Sequence, residues 1–216
     1  ACQGAKAREN AKFNRIQSLD DLWEKYREEY NLDDIPANIV DAMRYEGKLY
    51  GFPFGVNTMI FFYRKDLFDE KGVEPPKTMD EYISLAKMFN SPRRSGTQLS
   101  MKMVEMGINQ LNWHFNAEGP GWLDDDTFTP VFNGPEGVEA IKKLMELAKY
   151  SAPGYLANAN NEAVVNFQQD LAVMGLQWAS RAAAMDDPEK SKVVGKIDFA
   201  VPAGGGSRVI VVGYCM

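Results

Sequence analysis

A β-rich aromatic run from Thr58 to Tyr63 leads straight into two short helices with well-marked ends, and this order constrains the fold more than any other feature. Lys65 to Lys71 reads as a helix stopped by Gly72, and Pro75-Pro76 bars its continuation. Thr78 then opens a second helix, with Glu81 three residues on to complete a capping box. Met79, Tyr82, Ile83, Ala86 and Phe89 recur at helical spacing and give it a buried stripe.

Similar alternation is expected elsewhere. Upstream, a charged, Ala-rich segment (5–16) and a stretch opened by Ser18, with Leu19, Leu22, Trp23, Tyr26 and Tyr30, read as helices. Leu49 to Phe54 reads as a strand in which Pro53 cannot donate to a ladder, which argues for an edge or crossing segment. Gly55-Val56-Asn57 is expected to interrupt it before Thr58. Residues 90–96 read as an exposed loop, 99–104 as a strand, 108–115 as a helix and 128–132 as a short strand. Pro135 sits at a helix first turn, with Val138, Ile141, Leu144, Met145 and Ala148 as the buried face. Helices over 161–167 and 178–185 and strands over 171–175, 197–201 and 209–212 complete the reading. Strands alternating with helices long enough to cover both faces of a sheet define an α/β layered fold.

The net charge of −6, from 24 basic and 30 acidic residues, provides no basic field for nucleic-acid phosphates or anionic lipid. No apolar run approaches the roughly 18 residues that cross a bilayer. Cys2 and Cys215 stand at opposite ends, either as a terminal staple or as two unrelated thiols. Ala1-Cys2-Gln3-Gly4 also resembles the small-residue-then-Cys end of a bacterial lipobox.

Motifs for catalysis are sparse. His114 is the one histidine, which removes any multi-histidine metal site, and a packed imidazole is the plainer reading of it. Asp124-Asp125-Asp126 lacks the alternating ligands and distal Glu of an EF-hand and reads as a solvated turn. Gly204-Gly205-Gly206-Ser207 has no Lys-Ser/Thr ending and precedes a strand, so it reads as a flexible connection, not a phosphate loop. No Gly-x-Ser-x-Gly elbow is present. Paired carboxylates for glycoside hydrolysis stay open as an alternative, because 30 acids form many pairs and their separation is three-dimensional.

The informative feature is a supply of amides and aromatics at strand ends and helix starts: Asn57, Asn109, Asn112, Trp113, Asn116, Trp122 and Trp178. Sugar rings present apolar C–H faces and hydroxyl edges, which suit flat aromatic platforms flanked by amides. Each tryptophan taken alone is equally a core residue.

Gly47 to Phe54, Phe62 to Phe68, Pro76 to Glu81, Asn133 to Ala140 and Asn166 to Met174 together resemble, in order and spacing, the sugar-binding family of extracellular solute-binding proteins that includes maltose-binding protein. The resemblance runs from Ser18 to Tyr214. It implies a periplasmic-binding-protein-like lobe, a sheet with helices on both faces, in a chain about half the family's size: a fragment or truncation. Residues 1–48 would be an N-terminal helical segment from the end of the first lobe, and 49–216 a second-lobe-like domain with hinge strands. It implies reversible binding without chemistry, no cofactor and no metal, with a small carbohydrate as ligand and the membrane subunits of an ABC importer as partners. The location would be periplasmic or extracellular, with lipid anchoring of the complete protein as an option. Asn57, Asn109, Trp113 and Trp178 fall on ligand-binding positions, although Leu176-Gln177-Trp178 departs from the Gly-Pro-Trp turn common in relatives. A carbohydrate-active hydrolase or a structural fragment without binding are the alternatives.

Overall fold

One long strand organises the molecule. The computed structural model describes residues 2–119, 121–124 and 126–216, so Ala1 of the lipobox-like start and Asp125 of the acidic turn lie outside the described residues. The strands are β1 (Cys2–Gln3), β2 (Arg44–Tyr45), β3 (Lys48–Leu49), β4 (Phe52–Arg64), β5 (Ser95–Gln98), β6 (Ala172–Trp178), β7 (Ile197–Ala200) and β8 (Val209–Tyr214). The helices are α1 (Gly4–Lys12), α2 (Asp20–Tyr26), α3 (Ala37–Asp41), α4 (Lys65–Lys71), α5 (Met79–Phe89), α6 (Met103–Glu118), α7 (Pro135–Ala148) and α8 (Asn160–Gln168). Unit 1 combines the residues up to Thr58 with Val209–Met216, and unit 2 is Met59–Arg208. The division therefore falls inside β4 and just before β8.

The expected break at Gly55-Val56-Asn57 is absent. β4 runs through it because Phe52 to Thr58 pair antiparallel with β8, and a register shift between Pro53 and Gly55 absorbs the missing proline N–H. In unit 1, β1, β8 and the first half of β4 form one sheet, and β2–β3 form a hairpin. The hairpin turns through Glu46 and Gly47, both at positive φ (48° and 78°), as a two-residue primed turn requires. Its core gathers Ala7, Leu19, Trp23, Leu32, Val40, Met43, Leu49 and Val211. Ser18 accepts from the Asp20 amide at 3.2 Å and so marks the start of α2, although Tyr30, expected on the apolar stripe, is exposed.

Cys2 and Cys215 form a disulfide, with Cα atoms 6.5 Å apart. The staple is the correct alternative of the two. Closing so long a loop stabilises the fold by about 5 kcal/mol in the chain-entropy picture.

In unit 2 the second half of β4 pairs antiparallel with β6 on one side and β7 on the other, while β5 adds to β6 in parallel. Alternation along β4 sends Phe61 to one face and Phe62 to the other, and both are fully buried. Phe61 meets Tyr82 of α5 and Trp113 of α6 edge-on, at ring-centroid distances of 5.1 and 6.2 Å. Phe62 meets Phe167 of α8 at 5.9 Å. Helices on both faces explain why this strand is apolar on both sides.

The α5 capping box and the αL Gly72 after α4 form as the sequence indicates. Four local readings change. The strand near residue 99 lies earlier, at Ser95–Gln98, where the polar segment pairs with β6 and Gly96 presses on the Ala86 carbonyl so closely that a Cβ would sit 1.8 Å from its oxygen. Pairing context here overrides weak propensity. Of the stretch expected as a strand, only residues 103 and 104 join a helix, α6. Residues 128–132 form no strand, only an isolated bridge between Leu123 and Pro130, with Phe128 at φ 54°. On α7 the buried face is Gly137, Ala140, Leu144 and Leu147, leaving Val138 and Met145 exposed. Gly137 sets that rotation, since a Cβ there would stand 1.7 Å from the Phe132 carbonyl oxygen.

Candidate functional site

The end of unit 2 where β4 enters carries a row of residues across the sheet. Met59 faces Trp178 of β6 as its antiparallel partner, and its N–H donates to the Arg208 carbonyl at 3.0 Å. Trp178 and the Arg208 backbone thus flank Met59 on opposite sides, and Trp178, as its direct partner, projects from the same face of the sheet as Met59. Ser207 fixes the row by donating its hydroxyl to the Met59 carbonyl. From α6, Asn109 reaches the same place: its Oδ1 accepts from Arg208 Nη1 at 2.6 Å.

The turn before Arg208 is held, not flexible, which corrects the reading of Gly204-Gly205-Gly206-Ser207. Gly204 N–H donates to the Lys77 carbonyl at 2.8 Å, and a Cβ on Gly204 would stand 2.4 Å from the Ala117 Cβ. Gly204 and Gly205 take φ of 72° and 73°, the left-handed region that glycine enters without cost. The glycines therefore let the chain lie against α6 and deliver Arg208 to the row.

Asn109 is 2% exposed and its Nδ2 is buried without a partner among the described residues. Trp178 is the last residue of β6, not the first of a helix; it is 5% exposed and precedes a 3-10 turn over Ala179–Asp186. Its backbone N–H donates to Gln177 Oε1 at 2.8 Å. Asn57 belongs to unit 1, where it lies half-buried on β4 opposite Ile210.

Trp113 is different. One helical turn beyond Asn109, it is 1% exposed, stacked on Tyr82 at 5.2 Å, and donates Nε1–H to the Ala203 carbonyl at 2.7 Å. Its ring faces and its single donor are taken by the protein, so the expectation of a sugar platform gives way to a core tryptophan. Of the other indoles, Trp23 packs on Phe52 in the core of unit 1, and Trp122 donates to Asn112 Oδ1 at 3.0 Å and meets Phe115 edge-on. His114 is buried, with Nδ1–H donating to the Gln110 carbonyl at 2.8 Å; burial lowers its pKa to about 4, so it is a neutral packing residue near pH 7. Among the described residues, no group of three or more His, Cys, Asp or Glu side chains could hold a metal ion, and no helix is long and apolar enough to cross a membrane.

Arg208, which the sequence reading did not single out, is the residue that the structure brings to Asn109. A lone arginine between a glycine turn and an apolar strand carries no periodic signal, and only the held turn shows where it goes.

Comparison with known proteins gives the family. A family model described as bacterial extracellular solute-binding protein matches residues 10–216. The chain belongs to that family. A mannitol-binding protein of Pseudomonas aeruginosa is 28% identical over 178 residues, covering 80% of this chain and 41% of that protein. Among solved structures, a solute-binding protein from Agrobacterium radiobacter K84 in complex with ribitol superposes with a TM-score of 0.88 at 27% identity, covering 98% of this chain and 55% of its own. One from Agrobacterium vitis S4 with bound D-mannitol gives 0.81 at 25%, covering 98% and 54%. The chain thus spans about half the length of the relatives it matches.

Proposed function

We propose that this chain is the ligand-binding part of a receptor that captures a sugar or sugar alcohol outside the cytoplasm and hands it to the membrane subunits of an ABC importer. The observation that carries the reading is the row Trp178–Met59–Arg208 with Asn109 above it, in a chain similar to proteins named for, or solved with, mannitol and ribitol. Trp178 offers a ring for the C–H face of the ligand, and Asn109 belongs to the same row through its bond to Arg208. Trp113 stiffens the helix that carries Asn109. Binding is reversible and breaks no bond, and closure of two lobes excludes water from the ligand. The Cys2–Cys215 disulfide supports an oxidising, extracytoplasmic location.

Isothermal titration of the complete protein with ribitol, D-mannitol and a panel of mono- and oligosaccharides tests this. Saturable heat with at least one is expected. Silence across the panel would overturn the reading.

A further inference from the structure

Four arginines are at least partly buried: Arg44, Arg64, Arg94 and Arg208. Three are ion-paired, Arg44 with Asp20 and Asp41, Arg64 with Asp66 and Asp170, and Arg94 with Asp170. Arg208 alone has no carboxylate partner among the described residues; its guanidinium donates to one neutral amide oxygen, that of Asn109. The other N–H groups of Arg208 are not among the buried atoms without a partner, so they reach solvent, where a ligand oxygen can take the place of water. The backbone makes the arrangement deliberate, since the Arg208 carbonyl accepts from Met59, Ser207 bonds the Met59 carbonyl, and the glycine turn is clamped by Lys77 and Ala117.

Exposure separates the two partners. Asn109 is 2% exposed, with Nδ2 shut away and Oδ1 already given to Arg208, so its amide is turned toward the protein. Arg208 is only half-buried. It stands across Met59 from Trp178, so a ring face and a planar fork lie on the same row.

We infer that Arg208 is the residue that reads the ligand, that Asn109 is its positioning residue, and that the chemistry recognised is a pair of adjacent oxygens presented to the guanidinium fork. Vicinal hydroxyls of a neutral sugar alcohol and the carboxylate of a sugar acid both present such a pair, and a fork of fixed N–H directions suits either. A protein carboxylate beside Arg208 would compete for the same N–H groups; none of the described residues supplies one, which leaves those groups to the ligand. The inference rests on the proposed function and adds the contact and its geometry.

The test is titration of the complete protein with D-mannitol and D-mannonate, with thermal unfolding of each variant alongside. The wild type binds one or both, and the tighter probe identifies the source of the oxygen pair. Arg208→Lys, which keeps the charge and loses the fork, should weaken that probe by about 10-fold to 100-fold with little change in melting temperature. Asn109→Asp should keep or raise the melting temperature, because the new carboxylate pairs with Arg208, while weakening binding by about 10-fold or more. A merely structural role for Asn109 would not separate the two readouts in that way. Asn109→Ala should add nothing in an Arg208→Met background. Wild-type affinity in Arg208→Lys, or additive losses from Asn109→Ala and Arg208→Met, would overturn the inference. A wild type that binds neither probe but binds another saccharide, with that affinity untouched by Arg208→Lys, would overturn it while leaving the proposed function standing. A wild type silent to every saccharide would instead remove the proposed function.

Discussion

Two neighbouring layers of unit 2 are built from the same strand and the same helix, yet they differ in kind. At Phe61 of β4 and Trp113 of α6, rings pack edge and face with Tyr82, and the indole N–H has its acceptor. Two residues earlier on β4 and one turn earlier on α6, at Met59 and Asn109, a buried amide nitrogen has no partner and an arginine no carboxylate among the described residues. In the first layer the rings and the indole donor are satisfied by the protein itself, and the buried atoms without a partner beside them among the described residues, His114 Nε2 and Gln110 Oε1, are acceptors. The second is left with donors to spare, and leftover hydrogen-bonding capacity is what a binding surface offers a ligand. The sharpest way to break this contrast is Trp113→Ala. Removing a fully buried tryptophan should cost about 3–5 kcal/mol of stability by denaturant unfolding. Ligand affinity per folded molecule should hold. A variant that melts normally and loses the ligand would move Trp113 from the finished layer to the open one.

The finished layer also contains the sole histidine, and its titration gives the next largest effect. His114 has a pKa lowered to about 4 by burial, against 6.5 for the free group. Above pH 6.5 the imidazole is neutral in both folded and unfolded chains and contributes no pH dependence. As pH falls from 6.5 toward 4 the unfolded chain takes up a proton that the folded chain refuses, so stability declines across that window, by about 3 kcal/mol in all. Urea unfolding of His114→Gln, compared with wild type from pH 7 to pH 4, should show a shallower decline. Parallel curves for the two proteins would mean that His114 is not sealed in.

The contrast between the layers also explains what the residue order made legible. The capped helix α5, the αL stop after α4 and the doubly apolar strand β4 announce themselves because local chemistry and packing demand the same residues. The β5 strand and the face of α7 do not, since both are decided by close backbone approaches at Gly96 and Gly137 that only the assembled fold reveals. The site divides in the same way. Asn109 and Trp178 are legible as residue types that suit sugars, but Trp113 is the same type and is spent on the core. Nothing local separates it from Trp178. Arg208 is invisible for the converse reason: its place depends on a glycine turn lying against α6, a contact between segments far apart in sequence.

A smaller effect sharpens the comparison from the open side. Trp178 closes β6 beside Met59, at the row where the protein leaves donors unused. Trp178→Ala should weaken sugar or sugar-alcohol binding by about 1–3 kcal/mol, the scale of a desolvated aromatic contact. Trp178→Phe should recover most of it, because a flat apolar face is retained. If Phe and Ala lose equally, the indole is serving as packing and resembles Trp113 after all.

The smallest predicted effect falls outside unit 2. Asn57 lies on β4 in unit 1, two residues before Met59 and half-buried, between Gly55 and the β4 crossing into unit 2. An amide can both donate to and accept from a hydroxyl. Asn57→Ala should therefore cost about 1–2 kcal/mol of binding through ligand hydroxyls left unpaired. Asn57→Asp, which keeps an acceptor and loses the donor, should cost less for a neutral polyol than for a sugar acid, whose charge it would repel. Titration of both variants with D-mannitol and D-mannonate reads the difference, and equal losses for the two ligands would place Asn57 away from the oxygen pair.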